Sequence, residues 1–263
     1  MVTFPNCKIN LGLHVVGRRE DGYHELETIF LPVHDMCDEL EIVEAESGKR
    51  REESSMEQEG IALDNPPEDN LCMKAWRLMH EEFGIAPVHI RLKKNIPFGA
   101  GLGGGSSDAA FTLKMLNEMF LIGLGEDELE RRAVRLGADC AFFVRNRAAY
   151  ATGIGEKLEP IDWEVERERW KVMIEIPEGE HVSTREAYGG LKSERFGKPR
   201  PDLREAIKRP IEDWRGLIVN DFEASVFPTH PAIAALKEEM YRRGALYASM
   251  TGSGAAVFGV FRK

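Results

Sequence analysis

Pro97-Phe98-Gly99-Ala100-Gly101-Leu102-Gly103-Gly104-Gly105-Ser106-Ser107 carries five glycines in the seven positions 99–105 and ends on two serines. Glycine removes the side chain where a backbone must approach another group closely or turn left-handed. Before this turn Val88, Ile90 and Leu92 alternate with polar residues, the period-two pattern of a strand. After it Ala109, Leu113, Leu116 and Phe120 form a stripe at helical spacing. Strand, turn and helix in that order place the free N–H groups and partial positive charge of a helix N-terminus at the end of the turn, where phosphate binds. A floppy turn before a serine-capped helix is the plainer reading of the same residues. No Gly-Lys-Ser/Thr follows the glycines, so this is not the phosphate loop of the nucleoside triphosphatases. Gly99, Gly101 and Gly104 match GxGxxG, the dinucleotide fingerprint of many oxidoreductases. The strand before them argues against it, because a central parallel strand is a near-continuous apolar run.

Outward from the turn, Ile9, Leu11, Leu13 and Val15 alternate with Lys8, Asn10, Gly12 and His14. This strand, Lys8 to Val16, points Lys8 and Asn10 to one face. A polar turn follows at Arg18 to Gly22, and Leu26 to Val33 and Glu39 to Ala45 read as strands. Glu46 to Gly60 is charged and nearly free of large apolar residues, which predicts a solvated loop or hairpin tip. Asp69 or Asn70 can cap a helix striped by Leu71, Ala75, Leu78 and Met79 and ended by Gly84. A further helix covers Glu126 to Leu136. Beyond it come a strand at Lys171 to Ile176, a capped helix from Ser183 to Leu191 and an amphipathic helix from Pro231 to Arg243. Strands at Ala245 to Met250 and Ala255 to Phe261 flank the turn Thr251-Gly252-Ser253-Gly254. The uneven order of strands and helices favours α+β over a doubly wound sheet.

With 263 residues the chain makes one large or two smaller domains. The charged segment Glu156 to Arg169 predicts a boundary near 155–168, giving domains 1–155 and 156–263. A net charge of -10 speaks against nucleic acid, which wants a basic footprint. No apolar run is long enough to span a bilayer, and no basic-then-apolar leader opens the chain. The expected location is the cytoplasm. Cys7, Cys37, Cys72 and Cys140 are scattered, with none in a CxxC pair, and read as reduced, mostly buried thiols. The remaining histidines show no HxxxH or HExxH spacing, so they read as satisfied structural histidines and no structural metal is expected.

PFGAGLGGGSSDAA, from Pro97 to Ala110, resembles the phosphate loop of the GHMP small-molecule kinases, which include galactokinase and the homoserine and mevalonate kinases. PNCKINLGLHVVGRREDGYHELETIF (Pro5 to Phe30), LGADCAFFV (Leu136 to Val144) and MTGSGAAVF (Met250 to Phe258) are similar, in the same order, to further segments of the family. The first of them, with DGYHE, resembles the branch acting on a cytidine diphosphate ester of methylerythritol. Cys7 stands where the family usually has Ala, and Cys140-Ala141 where Val-Pro is usual.

The resemblance implies an α+β two-domain GHMP kinase fold, a ribosomal protein S5 domain 2-like N-terminal domain and a ferredoxin-like C-terminal domain, with the active site in the cleft between them. It implies transfer of the ATP γ-phosphoryl group to the 2-hydroxyl of that ester, with Mg²⁺, in a non-mevalonate route to isoprenoid precursors. The enzyme would be a monomer or weak homodimer. Carried over residue by residue, Asp139 is the catalytic carboxylate and Lys8 the active-site lysine paired with it. Asp139 also reads as a cap on the next helix, and Lys8 as a solvated edge-strand lysine. Residues 97–107, Asn70 and Lys94 fall on the ATP side, although Asn70 also reads as a helix cap and Lys94 as a strand-end lysine in solvent. Tyr23 and His24 meet the cytidine, Asn10 the polyol or phosphate, and Thr184 the acceptor, though Ser183-Thr184 serves equally as a helix cap. Ser106 and Ser107 can meet phosphate or Mg²⁺. A dinucleotide-dependent oxidoreductase and a non-catalytic nucleotide-binding module remain the competing classes.

Overall fold

The computed structural model of the chain describes residues 1–45, 53–62, 66–162, 169–191 and 200–263. Residues 46–52 of the charged stretch, and 163–168 of the segment at the expected domain boundary, lie outside them. In chain order the described strands are β1 (Val2–Thr3), β2 (Asn6–Arg18), β3 (His24–Cys37), β4 (Glu39–Glu44), β5 (Ser55–Gly60), β6 (Val88–Lys94), β7 (Ala149–Gly153), β8 (Lys157–Pro160), β9 (Trp170–Glu175), β10 (Tyr247–Met250) and β11 (Val257–Arg262). The helices that matter below are α1 (Leu71–Phe83), α2 (Gly104–Met119), α3 (Glu126–Leu136) and α4 (Cys140–Arg145). Two compact units emerge: Met1–Cys7 with Val33–Phe98 and Gly103–Asn146, and Lys8–Pro32 with Gly99–Leu102 and Arg147–Lys263.

The first unit is a four-stranded sheet, β1-β4-β6-β5, with α1 to α4. Period-two alternation buries Leu40 and Ile42 of β4 and Val88, Ile90 and Leu92 of β6. Each large aliphatic side chain so buried contributes about 1.5–3 kcal/mol. α1 turns Ala75, Leu78 and Met79 inward. Asn70 starts it by accepting from the Cys72 N–H at 2.9 Å, and Gly84 ends it in the left-handed region at φ 64°.

Two elements of this unit stand out among those the sequence does not mark. The expected solvated stretch contains β5, which runs parallel to β6 along the sheet edge. Its partners are polar: Ser55 Oγ meets His89 Nδ1 at 2.8 Å, and Glu57 lies 3.5 Å from Arg91. An edge strand held by backbone pairing and cross-strand charges leaves no hydrophobic pattern to read. The other is α4, whose first five residues, Cys140 to Val144, are all buried. A helix apolar on every side has no amphipathic period.

The second unit holds two sheets, β2-β3-β7-β8 and the antiparallel β10-β11-β9. A helix over Pro231–Arg242 and strand residues of β2, β10 and β11 share one core of Leu13, Val15, Phe222, Ile233, Met240, Met250 and Val257. His14, on the buried side of β2, departs from expectation. Both ring nitrogens are without a partner, and burial pushes its pKa down to about 4, which keeps the ring neutral.

Candidate active site

In the second unit the polar face of β2 is sunk into the protein. Lys8 is 3% exposed and Asn10 2% exposed. A buried ammonium survives only with hydrogen-bonding partners. Lys8 Nζ donates to Asn10 Oδ1 at 2.5 Å and to the Gly101 carbonyl at 3.0 Å, and lies 5.0 Å from the Phe30 ring centroid. Its backbone N–H donates to the Leu102 carbonyl at 3.0 Å. The lysine is therefore buried beside the glycine-rich turn, not solvated on an edge.

The turn at 251–254 closes on the same point. Thr251 Oγ1 takes the Asn10 N–H at 3.0 Å and lies 3.3 Å from Asn10 Oδ1 and 3.2 Å from the Gly101 carbonyl. Asn10 Nδ2 donates to Thr28 Oγ1 at 3.0 Å, completing its hydrogen bonding. Gly101 sits at φ +77°, and a Cβ there would stand 2.1 Å from the Thr251 carbonyl oxygen. Three stretches quoted for the family resemblance thus meet at Lys8, Gly101 and Thr251. Gly101→Ala is expected to cost on the order of 1–3 kcal/mol for the left-handed backbone alone, and more for the displaced turn. Thermal unfolding tests it, and an unchanged Tm would contradict the interlock.

Asn220 supports this knot and was not legible beforehand. It is 2% exposed, its Nδ2 donates to the Met250 and Gly252 carbonyls, both at 2.8 Å, and its Oδ1 accepts from the Phe222 N–H. Its partners stand 30 and 32 residues away, and no local spacing marks such a pairing.

The DGYHE segment forms the turn between β2 and β3. Tyr23 is 61% exposed. His24 stacks on Tyr188 with ring centroids 4.5 Å apart, and Tyr188 meets Phe222 edge-on. Burial and then Arg18 hold the His24 pKa below the usual histidine value. A neutral imidazole offers one donor and one acceptor, which suits the edge of a pyrimidine. Tyr188 lies within the stretch around Ser183-Thr184 but was not singled out as an aromatic.

Capping of the helix Thr184–Gly189 falls to Ser183, which accepts from the Glu186 N–H, while Thr184 Oγ1 lies 3.4 Å from Ser253 Oγ. His230 clamps this segment: Nδ1 meets Glu180 at 2.5 Å and Nε2 meets Glu186 at 3.0 Å. Both contacts are satisfied together only by imidazolium, and hydrogen bonds to Glu186 and Glu180 raise the His230 pKa. A raised native-state pKa means that the clamp stabilises fully below the unfolded value of about 6.5 and fades as pH rises through the native value. The Tm difference between wild type and His230→Gln should therefore be larger at low pH than at high pH. A pH-independent difference would refute the ionic clamp.

In the first unit Lys94 is 2% exposed and spends its ammonium on Asp38 Oδ2 and, at 2.7 Å, on Asp108 Oδ2. It is thus neither solvated nor at the surface. Burial alone would lower its pKa, but Asp108 and Asp38 outweigh that and raise it. Burial pushes Asp108 up to about 7 against the pull of Lys94. Asn70 is engaged as the cap of α1. Asp139 occupies the N-cap position of α4, half-buried, and its carboxylate makes no cap hydrogen bond. Ser106 hydrogen-bonds the fully buried Cys140 thiol, whose pKa burial pushes up to about 12. Cys7 is equally buried, with Sγ 3.7 Å from the Val33 carbonyl. Both departures from the usual family residues are accommodated inside the core.

Residues 70–147 match the family described as GHMP kinases N terminal domain, and 201–263 match GHMP kinases C terminal. A protein of Bacteroides thetaiotaomicron named 4-diphosphocytidyl-2-C-methyl-D-erythritol kinase is 49% identical over 99% of this chain and 92% of its own length. The chain belongs to the GHMP kinases. A Porphyromonas gingivalis relative of the same name is 46% identical over 100% of this chain and 93% of its own. A crystal structure of 4-(cytidine 5'-diphospho)-2C-methyl-D-erythritol kinase aligns at 34% identity and TM-score 0.78, covering 98% of this chain and 89% of that one. Mevalonate kinase of Methanococcus jannaschii shares the fold at TM-score 0.70 with 15% identity, covering 100% of this chain and 90% of its own. The α+β GHMP fold expected from the sequence is borne out. This GHMP kinase is a phosphotransferase, and ATP is its co-substrate.

Proposed function

We propose that this GHMP kinase moves the γ-phosphoryl group of ATP to the tertiary 2-hydroxyl of 4-diphosphocytidyl-2-C-methyl-D-erythritol, releasing the 2-phosphate and ADP. The observation that carries the reading is the 49% identity, over 99% of the chain, to a kinase of that name. The His24–Tyr188 stack beside exposed Tyr23 supports a nucleobase at the DGYHE turn.

In this reading the acceptor oxygen bonds to the γ-phosphorus as the bond to the β–γ bridging oxygen breaks, and the hydroxyl proton passes to Asp139. Such transfers need positioning and charge stabilisation more than covalent chemistry. Residues 97–107 hold the phosphates through the backbone N–H groups that follow Pro97, with Asn70 and Lys94 on the same nucleotide side. Lys8 stabilises developing negative charge, Asn10 orients the polyol, and Thr184 borders the acceptor.

Mg²⁺ belongs to the same proposal. Among the described residues no group of three His, Cys, Asp or Glu is placed to hold a metal ion. An ion carried on phosphates needs only one or two protein oxygens. Ser107 Oγ, fully buried in the first turn of α2 and without a hydrogen-bond partner, fits such a donor, with Ser106 beside it. The ion would neutralise charge on the β- and γ-phosphates.

No described helix is long and apolar enough to cross a membrane. Four unbridged cysteines, three of them buried, support a reducing cytoplasm as the setting, with the enzyme a monomer or weak homodimer. The test is ADP release across a panel of alcohols. Turnover is expected with the cytidine diphosphate ester, whereas comparable kcat/KM for mevalonate or homoserine would overturn the assignment.

A further inference from the structure

We infer that Asp38 is a positioning residue for nucleotide binding, clamping both ends of the glycine-rich turn through Lys94 and the backbone of Asn95 and Ile96.

Asp38 lies outside every motif quoted above, between β3 and β4, and is 0% exposed. Its carboxylate accepts three hydrogen bonds from three consecutive residues. Oδ1 takes the Asn95 N–H at 2.6 Å and the Ile96 N–H at 2.8 Å, and Oδ2 takes the Lys94 ammonium. These residues lead directly into Pro97. The backbone N–H of Asp38 is anchored on the Pro5 carbonyl at 2.9 Å. Lys94 reaches onward to Asp108 in α2, beyond the far end of the turn. Gly104 completes the approach: a Cβ there would stand 3.3 Å from Lys94 Nζ and 2.9 Å from Ile96 Cγ2. Strand end and helix start are thus tied by one buried carboxylate–ammonium–carboxylate bridge.

The physical need is entropic. Glycine has more backbone freedom to lose than any other residue, so a turn with five of them is costly to order around a ligand. Fixing its two ends in advance removes part of that cost and appears as nucleotide affinity. The clamp presupposes the ATP site proposed above, on which Asp38 acts through its three donors.

The test is Asp38→Asn, which keeps an oxygen for Asn95 and Ile96 but removes the charge facing Lys94. The expected result is a rise in KM for ATP of roughly tenfold or more, with KM for the cytidine ester within about twofold. A cycle with Lys94→Met should be non-additive for KM of ATP, because the two act as one unit. Equal changes in both KM values, additivity, or a lower Tm with both KM values unmoved would overturn the inference. Amide hydrogen exchange on wild type needs no variant. The Asn95 and Ile96 amides should be strongly protected without nucleotide, and rapid exchange there would overturn it too. ADP calorimetry on wild type separates the two failures. Nucleotide binding with an unmoved KM in the variant refutes Asp38 alone, whereas no ADP binding refutes the ATP reading and the inference with it.

Discussion

Lys8→Ala is expected to lower kcat by about 10²–10³-fold, the size of effect seen when one preorganised charge-stabilising group is removed from a reacting centre. Folding should survive, and the hydrogen-bond network says why. Among the oxygens that accept from Lys8 Nζ are Asn10 Oδ1 and the Gly101 carbonyl. Thr251 Oγ1 stands 3.3 Å from the first and 3.2 Å from the second, so its one O–H can still donate to either of them. Losing a buried ammonium also removes its desolvation cost. Stability should thus change by little while turnover falls steeply. Steady-state kinetics beside a thermal melt decides the matter. Near-normal kcat, or a collapse of Tm that accounts for the lost activity, would each remove Lys8 from the chemistry.

Asp139→Asn carries the second large effect. A carboxylate accepting the acceptor proton contributes roughly 10²–10⁴-fold, and asparagine keeps the shape while losing the basicity. The N-cap position of α4 gives a sharp control, because asparagine is as good a cap as aspartate. Asp139 makes no cap hydrogen bond, so capping is not what its side chain supplies. The variant should fold and melt close to wild type, because asparagine keeps the shape and a hydrogen-bonding oxygen at this position. A loss of kcat with unchanged KM values identifies a group acting in the transition state. Substantial turnover in Asp139→Asn would leave the carboxylate as an electrostatic anchor at most.

The two variants probe residues read from sequence by different routes. Alternation in β2 places Lys8 and Asn10 on one face, where the two side chains touch, while the catalytic role of Lys8 comes from the resemblance. Asp139 was visible only through resemblance, since Gly137-Ala138-Asp139 has no periodicity of its own. Tyr188 lies inside the capped helix expected from Ser183 to Leu191 and carries no signal there, because a tyrosine near a helix end is a common core residue until its ring partner is known. The sequence places Lys94 near the nucleotide or in solvent, and its burial between two aspartates leaves no local signature. Asp38 is 56 residues and Asp108 14 residues from Lys94 along the chain.

Local order is what the amino-acid string by itself determined. The alternation of β2, β4 and β6, the Asn70 cap and Gly84 stop of α1, and the glycine-to-helix passage at 99–107 all depend on forces acting within a few residues. Side-chain periodicity, capping and left-handed glycine are of that kind. The tertiary structure alone decided the pairings made across long separations. They include the polar edge strand β5 on β6, the all-round burial of α4, the Asn220 brace under 251–254, and the Asp38–Lys94–Asp108 bridge. Each of these is satisfied by donors, acceptors or apolar surface from distant chain, and such partners exist only once the backbone has brought them together.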